Sequence, residues 1–362
     1  MDNLKYLKNL ITIKSYSLTE NKKIIDYLEK EFAKSCVEIL RLKNKGDSKE
    51  NLLIGVNCKL KNIKDAIILS GHIDTVVANE KQYNTNPYTP TIIDDKIYGL
   101  GSIDMKSYFA VILNNLEKLK QLKNPIIIAI SCDEETTFNG VIALTEKMKE
   151  LNIVPKCSII GEPTDSKICA RSKSCYEYTI SVTGKSCHSS SPENGINANY
   201  ILAKLTLMFE KLCNKYKETT TTCNVINGGE KTNIISDKAF LKFDIRSFSL
   251  KNVNLILSDI NAYIKELLQE YKGAKIELVN NFKILALENK NARLIKNICD
   301  KFDLQMQDFL GGCEAGYYQE LGGDAFIYGV GSLKLAHKPN EYALIAEFEK
   351  YSNNFVDIIK AL

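Results

Sequence analysis

The sequence predicts an α/β main domain built on a largely parallel sheet and interrupted by an inserted α+β domain. Three observations carry this. At 362 residues the chain is too long for one ordinary core. Short apolar runs alternate with amphipathic segments up to about Pro163. That texture is then replaced, and it returns from about Asn289. The expected boundaries are 1–168 and 285–362 for the main domain, with 169–284 inserted.

Leu4, Leu7, Leu10 and Ile11 recur at helical spacing, and Ile24, Ile25, Leu28 and Phe32 form a second helical stripe. AIILSG (66–71), PIIIAIS (125–131) and CSIIG (157–161) read as strands, continuously apolar as buried parallel strands are. Between them SYFAVILNNLEKLKQL (107–122) and GVIALTEKMKEL (140–151) read as helices. In the middle segment YEYTISVTG (176–184), KAFLKFDIRSF (238–248) and AKIELV (274–279) read as half-exposed strands. Helices are expected at 197–216 and 254–271, which gives a sheet with one face covered. A further helix, the strand AFIYGVG (325–331) and a closing helix at 343–360 complete the main domain.

Composition narrows the function. The net charge is only +4, with no basic stripe interleaved with aromatics, which argues against a nucleic-acid partner. The longest apolar run, Tyr108–Leu113, is far short of the roughly 20 residues that span a bilayer. The N-terminal stretch carries Asp2, Lys5 and Lys8 and does not read as a signal peptide. Eleven cysteines, an odd number with no C-x-x-C pair, fit reduced thiols in a cytoplasmic protein. KNKGDSKEN (43–51) reads as a solvated turn.

Only three histidines occur, and two of them follow predicted main-domain strands: His72 in SGHIDTV and His337 in LAHKPNEY. The third, His188, lies in GKSCHSSSP. Sites in open α/β sheets form at the C-terminal ends of strands. There the sequence places His72 and Asp74, Asp104 in GLGSIDMKS, Asp133, Glu134 and Glu135 in SCDEET, Glu162 in GEPT, and His337. Carboxylates gathered on one edge repel each other unless cations compensate. A mixed nitrogen and oxygen set suits Zn²⁺, Mn²⁺ or Co²⁺ better than Ca²⁺. Helix capping is the plainer account of Asp104 and Glu134, but it leaves the two histidines unexplained. In the tandem Glu134–Glu135 one carboxylate can hold a cation while its neighbour handles protons.

Taken in order, SGHIDTV, YGLGSIDMKSYFAVIL, SCDEET, GEPT and AHKPNEY resemble the family of di-metal deacylases and metallopeptidases. That family includes acetylornithine deacetylases, succinyl-diaminopimelate desuccinylases, carboxypeptidase G-type enzymes and aminoacylases. The resemblance implies two divalent cations per subunit, Zn²⁺ foremost with Co²⁺ as alternative. His72, Asp104 and Glu162 would hold one, and Asp104, Glu135 and His337 the other, with Asp104 bridging. It further implies Glu134 as general base, Asp74 orienting His72, and a cis bond after Asp104. The inserted segment is similar to the family's lid and dimerisation domain, in which His188 would reach the partner subunit's site of a homodimer. Cys187 stands where glycine is usual.

Asn233 and Arg246 match positions that hold the substrate carboxylate. SIDMKSYFAVIL, CHSSSPENGINAN, Lys173 and Cys313-Glu314-Ala315 are most similar to the acetylornithine deacetylase branch, so Lys173 and Glu314 join the expected substrate contacts. The implied reaction is hydrolysis of N²-acetyl-L-ornithine, a small-molecule N-acyl amino acid of arginine biosynthesis. Desuccinylation, acetylcitrulline or acetyl-lysine deacetylation and dipeptide cleavage are the alternatives of the same class. An inert relative that binds amino-acid derivatives is the alternative of another class; intact ligands and Glu134 argue against it.

Overall fold

The computed structural model describes residues 2–35, 37–289 and 292–362, so Cys36 lies outside the described residues. The chain divides into two compact units, Met1–Ser172 with Leu287–Leu362, and Lys173–Ala286. Residues 169–172, expected in the insertion, extend the main sheet instead. They belong to the strand Ile168–Ser172, which pairs with Met306–Phe309 and with Ile327.

Among the described residues the first unit holds a nine-stranded sheet. Its centre runs Ile126–Ser131, Ile63–His72, Ile153–Ile160, Asp324–Ile327, all parallel. All six residues of Ile126–Ser131 are buried, as its uninterrupted apolar sequence requires of a strand covered on both faces. On one face lie Lys5–Thr12, Lys106–Leu119 and Ile345–Ala361, which with Leu69, Ile128 and Ile159 form one core. Leu7, Leu10 and Ile11 are fully buried, each stabilising by about 1.5–3 kcal/mol.

Two glycines set how close the Lys106–Leu119 helix comes. A Cβ at Gly71 would lie 2.0 Å from Met105 Cε, and one at Gly161 would lie 2.1 Å from Tyr108 Cγ. Each precedes a site residue, His72 or Glu162, so the approach brings the turn ahead of the helix onto those strand ends.

Glu38–Lys43 and Glu50–Val56 add an antiparallel hairpin at the sheet edge that was not among the expected elements, although the LLIGV run of the second strand is apolar and buried. Its turn is the KNKGDSKEN segment, yet Asn44 and Asn51 within it are buried, which corrects the solvated reading for those two. Ten described cysteines are free thiols, and no described helix is long and apolar enough to cross a membrane.

The second unit is a four-stranded antiparallel sheet, ordered Thr219–Gly228, Lys238–Ser247, Ser174–Thr183, Lys275–Ile284. Helices Ala198–Leu212 and Leu250–Glu270 pack Leu205, Phe209, Ile256 and Ile260 onto Ile180, Leu241 and Phe243. The strand Thr219–Gly228 escaped prediction because its TTTTCNVING sequence is a polar, largely exposed edge.

Candidate metal centre

The site is assembled from strand ends and the turns that follow them. His72 is the last residue of its strand, and its Nδ1 lies 2.9 Å from the Asp74 carbonyl oxygen. A carbonyl only accepts, so Nδ1 carries the proton and Nε2 is left to face the centre. There Nε2 lies 3.1 Å from Asp104 Oδ1, 3.7 Å from Glu162 Oε1 and 4.0 Å from Glu134 Oε2. Asp104 Oδ2 lies 3.2 Å from His337 Nε2, which is 3.0 Å from Glu135 Oε2. The two oxygens of Asp104 thus face different histidines, each with a further carboxylate. His72, Asp104 and Glu162 form one set of converging donor atoms, and Asp104, Glu135 and His337 form a second.

Capping does not explain these acids. The Lys106–Leu119 helix has no side-chain cap, and the helix after Glu134 starts only at Asn139. The Asp104–Met105 peptide is cis. Asp74 touches more than the histidine: its carboxylate accepts from the Glu134 and Glu135 N–H groups, each at 3.2 Å, and from Ser17 Oγ at 2.6 Å. It therefore fixes the tandem glutamates as well as His72.

Asp133, gathered with the centre on sequence grounds, points elsewhere. Its carboxylate is held by Lys49 and, at 3.1 Å, by Asn44 Nδ2, both from the hairpin turn. Its backbone is left-handed at φ 62°, and its carbonyl accepts from Thr136, Thr137 and Phe138. Asp133 thus shapes the turn that presents Glu134 and Glu135.

Glu314, expected among the substrate contacts, is fully buried; its Oε2 accepts from Ser70 Oγ at 3.3 Å, and its Oε1 is buried without a hydrogen-bond partner. Burial pushes its carboxyl up to about 7.

The electrostatics ask for positive charge. Burial, with the neighbouring acids adding to it, lifts Glu134 well above the carboxylate range and Glu162 to about 8. Burial also raises Glu135. Hydrogen bonds to Asp104 and Glu135 raise His337 to about 10. His72 is raised as well: burial opposes this, but Asp104, Glu134 and Glu162 outweigh it. Glu162 Oε1 is buried without a hydrogen-bond partner. Burying a carboxylate oxygen unpaired is unfavourable, and a cation between these donors would satisfy it. The donor set fits divalent metal ions.

Four expected site residues belong to the second unit. His188 Nδ1 is 2.7 Å from Ser190 Oγ, and its backbone forms a bridge with Ile234. Asn233 is its neighbour there, accepting from the Ser189 N–H at 3.1 Å. Arg246 donates from Nε to Asp244 at 2.9 Å, and Lys173 Nζ lies 5.6 Å from the centre of the Phe248 ring.

Sequence reasoning missed Ser17, Asn44 and Lys49, which carry no motif, and Glu341, which stood within AHKPNEY. Four residues after His337, Glu341 is buried and accepts from the N–H groups of Gly101, Ile103 and Asp104.

Residues 68–361 match Peptidase family M20/M25/M40. An acetylornithine deacetylase of Pasteurella multocida is 33% identical over 300 residues, covering 78% of this chain and 76% of its own. A metallohydrolase of Methanocaldococcus jannaschii is 30% identical over 364 residues, covering 97% and 95%. Among solved structures, the aminopeptidase PepT of Bacillus cereus shares the fold, with TM-score 0.81, 22% identity and coverage of 99% and 97%. With its converging donor sets and these relatives, the chain belongs to peptidase family M20/M25/M40 and is a metal-dependent hydrolase.

Proposed function

We propose that the protein is a two-metal amidohydrolase that converts N²-acetyl-L-ornithine and water to L-ornithine and acetate. The observation that carries the reading is Asp104, whose two oxygens face two histidines while Glu134 stands 4.0 Å from His72 outside both donor sets. His72, Asp104 and Glu162 would hold one ion, and Asp104, Glu135 and His337 the other, with Zn²⁺ first and Co²⁺ second by donor chemistry. Bound there, two divalent cations polarise the scissile carbonyl and acidify the attacking water.

The remaining chemistry belongs to the side chains. Glu134 takes a proton from the attacking water as the new C–O bond forms. It then delivers that proton to the leaving nitrogen as the C–N bond breaks. Burial raises its carboxyl above the usual range, which favours its holding the proton between the two transfers. Asp74 keeps Glu134 in place through the backbone while holding the His72 loop. In this reading His188, supplied by the second subunit of a homodimer, steadies the developing oxyanion. Arg246 and Asn233 receive the substrate carboxylate, a task suited to a planar guanidinium, with Lys173, the first residue of the same unit, as a further substrate contact. The protein would then act in the cytoplasm in arginine biosynthesis.

Support for the acetyl-ornithine choice is the Pasteurella multocida relative together with the Cys313-Glu314-Ala315 and CHSSSPENGINAN motifs. The test is free-amine release by the Zn²⁺- or Co²⁺-loaded protein from N²-acetylornithine, beside succinyl-diaminopimelate, acetylcitrulline and a dipeptide. Fastest turnover of acetylornithine is expected. A different winner overturns the substrate, and no turnover of any of the four overturns the reaction.

A further inference from the structure

The loop that carries His337 and the turn that carries Asp104 are tied together by one side chain. Glu341 is 2% exposed, and its Oε1 accepts from Ile103 N–H at 2.8 Å, Asp104 N–H at 3.2 Å and Ser102 Oγ at 3.4 Å. Its Oε2 accepts from Gly101 N–H at 3.2 Å. A carboxylate is thus seated in a concave run of backbone N–H groups, an arrangement that favours anions. The backbone repeats the connection, because the Gly99 N–H donates to the Glu341 carbonyl at 3.1 Å and Tyr342 pairs with Tyr98. The turn has little room to adapt: Gly101 is left-handed at φ 83°, and a Cβ there would lie 2.7 Å from Lys106 Cδ.

The two donor sets depend on this link unequally. His72 ends a central strand and is held by the Asp74 carbonyl, Glu162 follows another central strand, and Glu135 is held by Asp74. None of these contacts involves Glu341. Asp104 depends on it through its own N–H, and His337 depends on it through four residues of loop. The set of His72, Asp104 and Glu162 contains one dependent member, whereas the set of Asp104, Glu135 and His337 contains two.

We propose that Glu341 is a positioning residue that locks the His337 loop onto the Asp104 turn and so sets how tightly the Asp104–Glu135–His337 site holds its cation. The proposal rests on the two-cation reading above. Its test is Co²⁺ titration of metal-free wild type, Glu341→Gln and Glu341→Ala, followed by calorimetry and by Co²⁺ visible absorption. Melting curves of the metal-free chains check that each folds.

Wild type should bind two ions. Glu341→Ala should keep the first near its wild-type affinity and lose about 10–100-fold on the second, the range expected when a group supporting a ligand is removed. Glu341→Gln should fall between, since its amide keeps an accepting oxygen but sets an NH₂ against a backbone N–H. If Glu341→Ala does not fold, the near-isosteric Glu341→Gln decides alone, by a weakened second site against an unchanged one. Equal weakening of both sites, or of neither, overturns the proposal. Failure of wild type to take up two ions overturns the two-cation reading, and the proposal with it.

Discussion

Gly161→Ala tests whether the close approach of the Lys106–Leu119 helix to the sheet builds the centre. The added Cβ would lie 2.1, 2.3 and 2.5 Å from three ring carbons of Tyr108, where carbon atoms ordinarily rest at about 3.5–4.0 Å. The ring cannot step aside. It is 1% exposed, packs edge-on to Phe109 and Phe355 with centroids 5.8 Å away, and donates its hydroxyl to the Ile159 carbonyl at 3.0 Å. Overpacking of this kind costs about 1–3 kcal/mol, and losing the hydroxyl's bond adds about 1 kcal/mol. For a unit of this size each kcal/mol lowers the melting point by about 2–4 °C, so a fall of about 4–16 °C is expected.

Because Glu162 is the next residue, Co²⁺ affinity should fall with stability. In a Tyr108→Ala background the same substitution should be far less harmful, since the obstructing ring is gone. A Gly161→Ala protein with the melting curve and Co²⁺ affinity of wild type would refute the argument, as would simple additivity with Tyr108→Ala.

Three further outcomes follow from the centre. Glu134→Gln should lose about 10²–10⁴ in kcat while both cations remain bound, because it removes the proton carrier and leaves both donor sets intact; loss of cations in step with activity would reassign it as a ligand. Asp74→Asn should weaken cation binding by about 10–100-fold, since an amide nitrogen would oppose the Glu134 N–H, the Glu135 N–H or the Ser17 hydroxyl; unchanged affinity would remove Asp74 from its supporting role. Cation uptake at pH 7 should release protons: His337 is raised to about 10 and Glu162 to about 8, so the metal-free centre carries protons that ligation must displace, and affinity should rise with pH. Calorimetry at pH 7 in buffers of different ionisation enthalpy checks this, and identical heats in all buffers would contradict it.

Most elements that bury an apolar face were legible, because burial imposes the period that the sequence displays; the buried strand Glu50–Val56 is the exception, its LLIGV run being short and set beside a polar turn. Ile126–Ser131 is continuously apolar, and Leu7, Leu10 and Ile11 recur at helical spacing. Elements held chiefly by backbone pairing were not. Thr219–Gly228 is an edge whose side chains are mostly exposed, and Glu38–Lys43 alternates only weakly because no residue in it is fully buried. The end of the first main-domain segment was placed at 168 by the change of texture. Ile168–Ser172 nonetheless belongs to the main sheet, since its partners, including Met306–Phe309, lie more than a hundred residues away and leave no local mark.

Within the site, legibility followed the same physics. Residues that follow parallel strands share one edge whatever the details, so His72, Glu135, Glu162 and His337 could be gathered there with several other acids. Asp104, in the turn before a helix, and the choice of ligands among them rested on the family resemblance. Which way each neighbouring acid points depends on partners that no motif announces. Asp133 sits beside Glu134 yet turns to Lys49 and Asn44 of a distant hairpin.

The local motif suggests a role for Glu314, but the face of the sheet it lies against is decided by the two-residue period of a strand. Ser70 and Gly71 project to opposite faces of the sheet: a Cβ at Gly71 would run into Met105, while Ser70 donates to Glu314 on the other side. The face that admits the helix must be bare at position 71, and the face that holds the carboxyl must be polar at position 70. The SGH triplet in SGHIDTV therefore encodes three separate demands, a buried donor, a missing side chain and a candidate ligand, of which only the last is visible before the sheet has two sides.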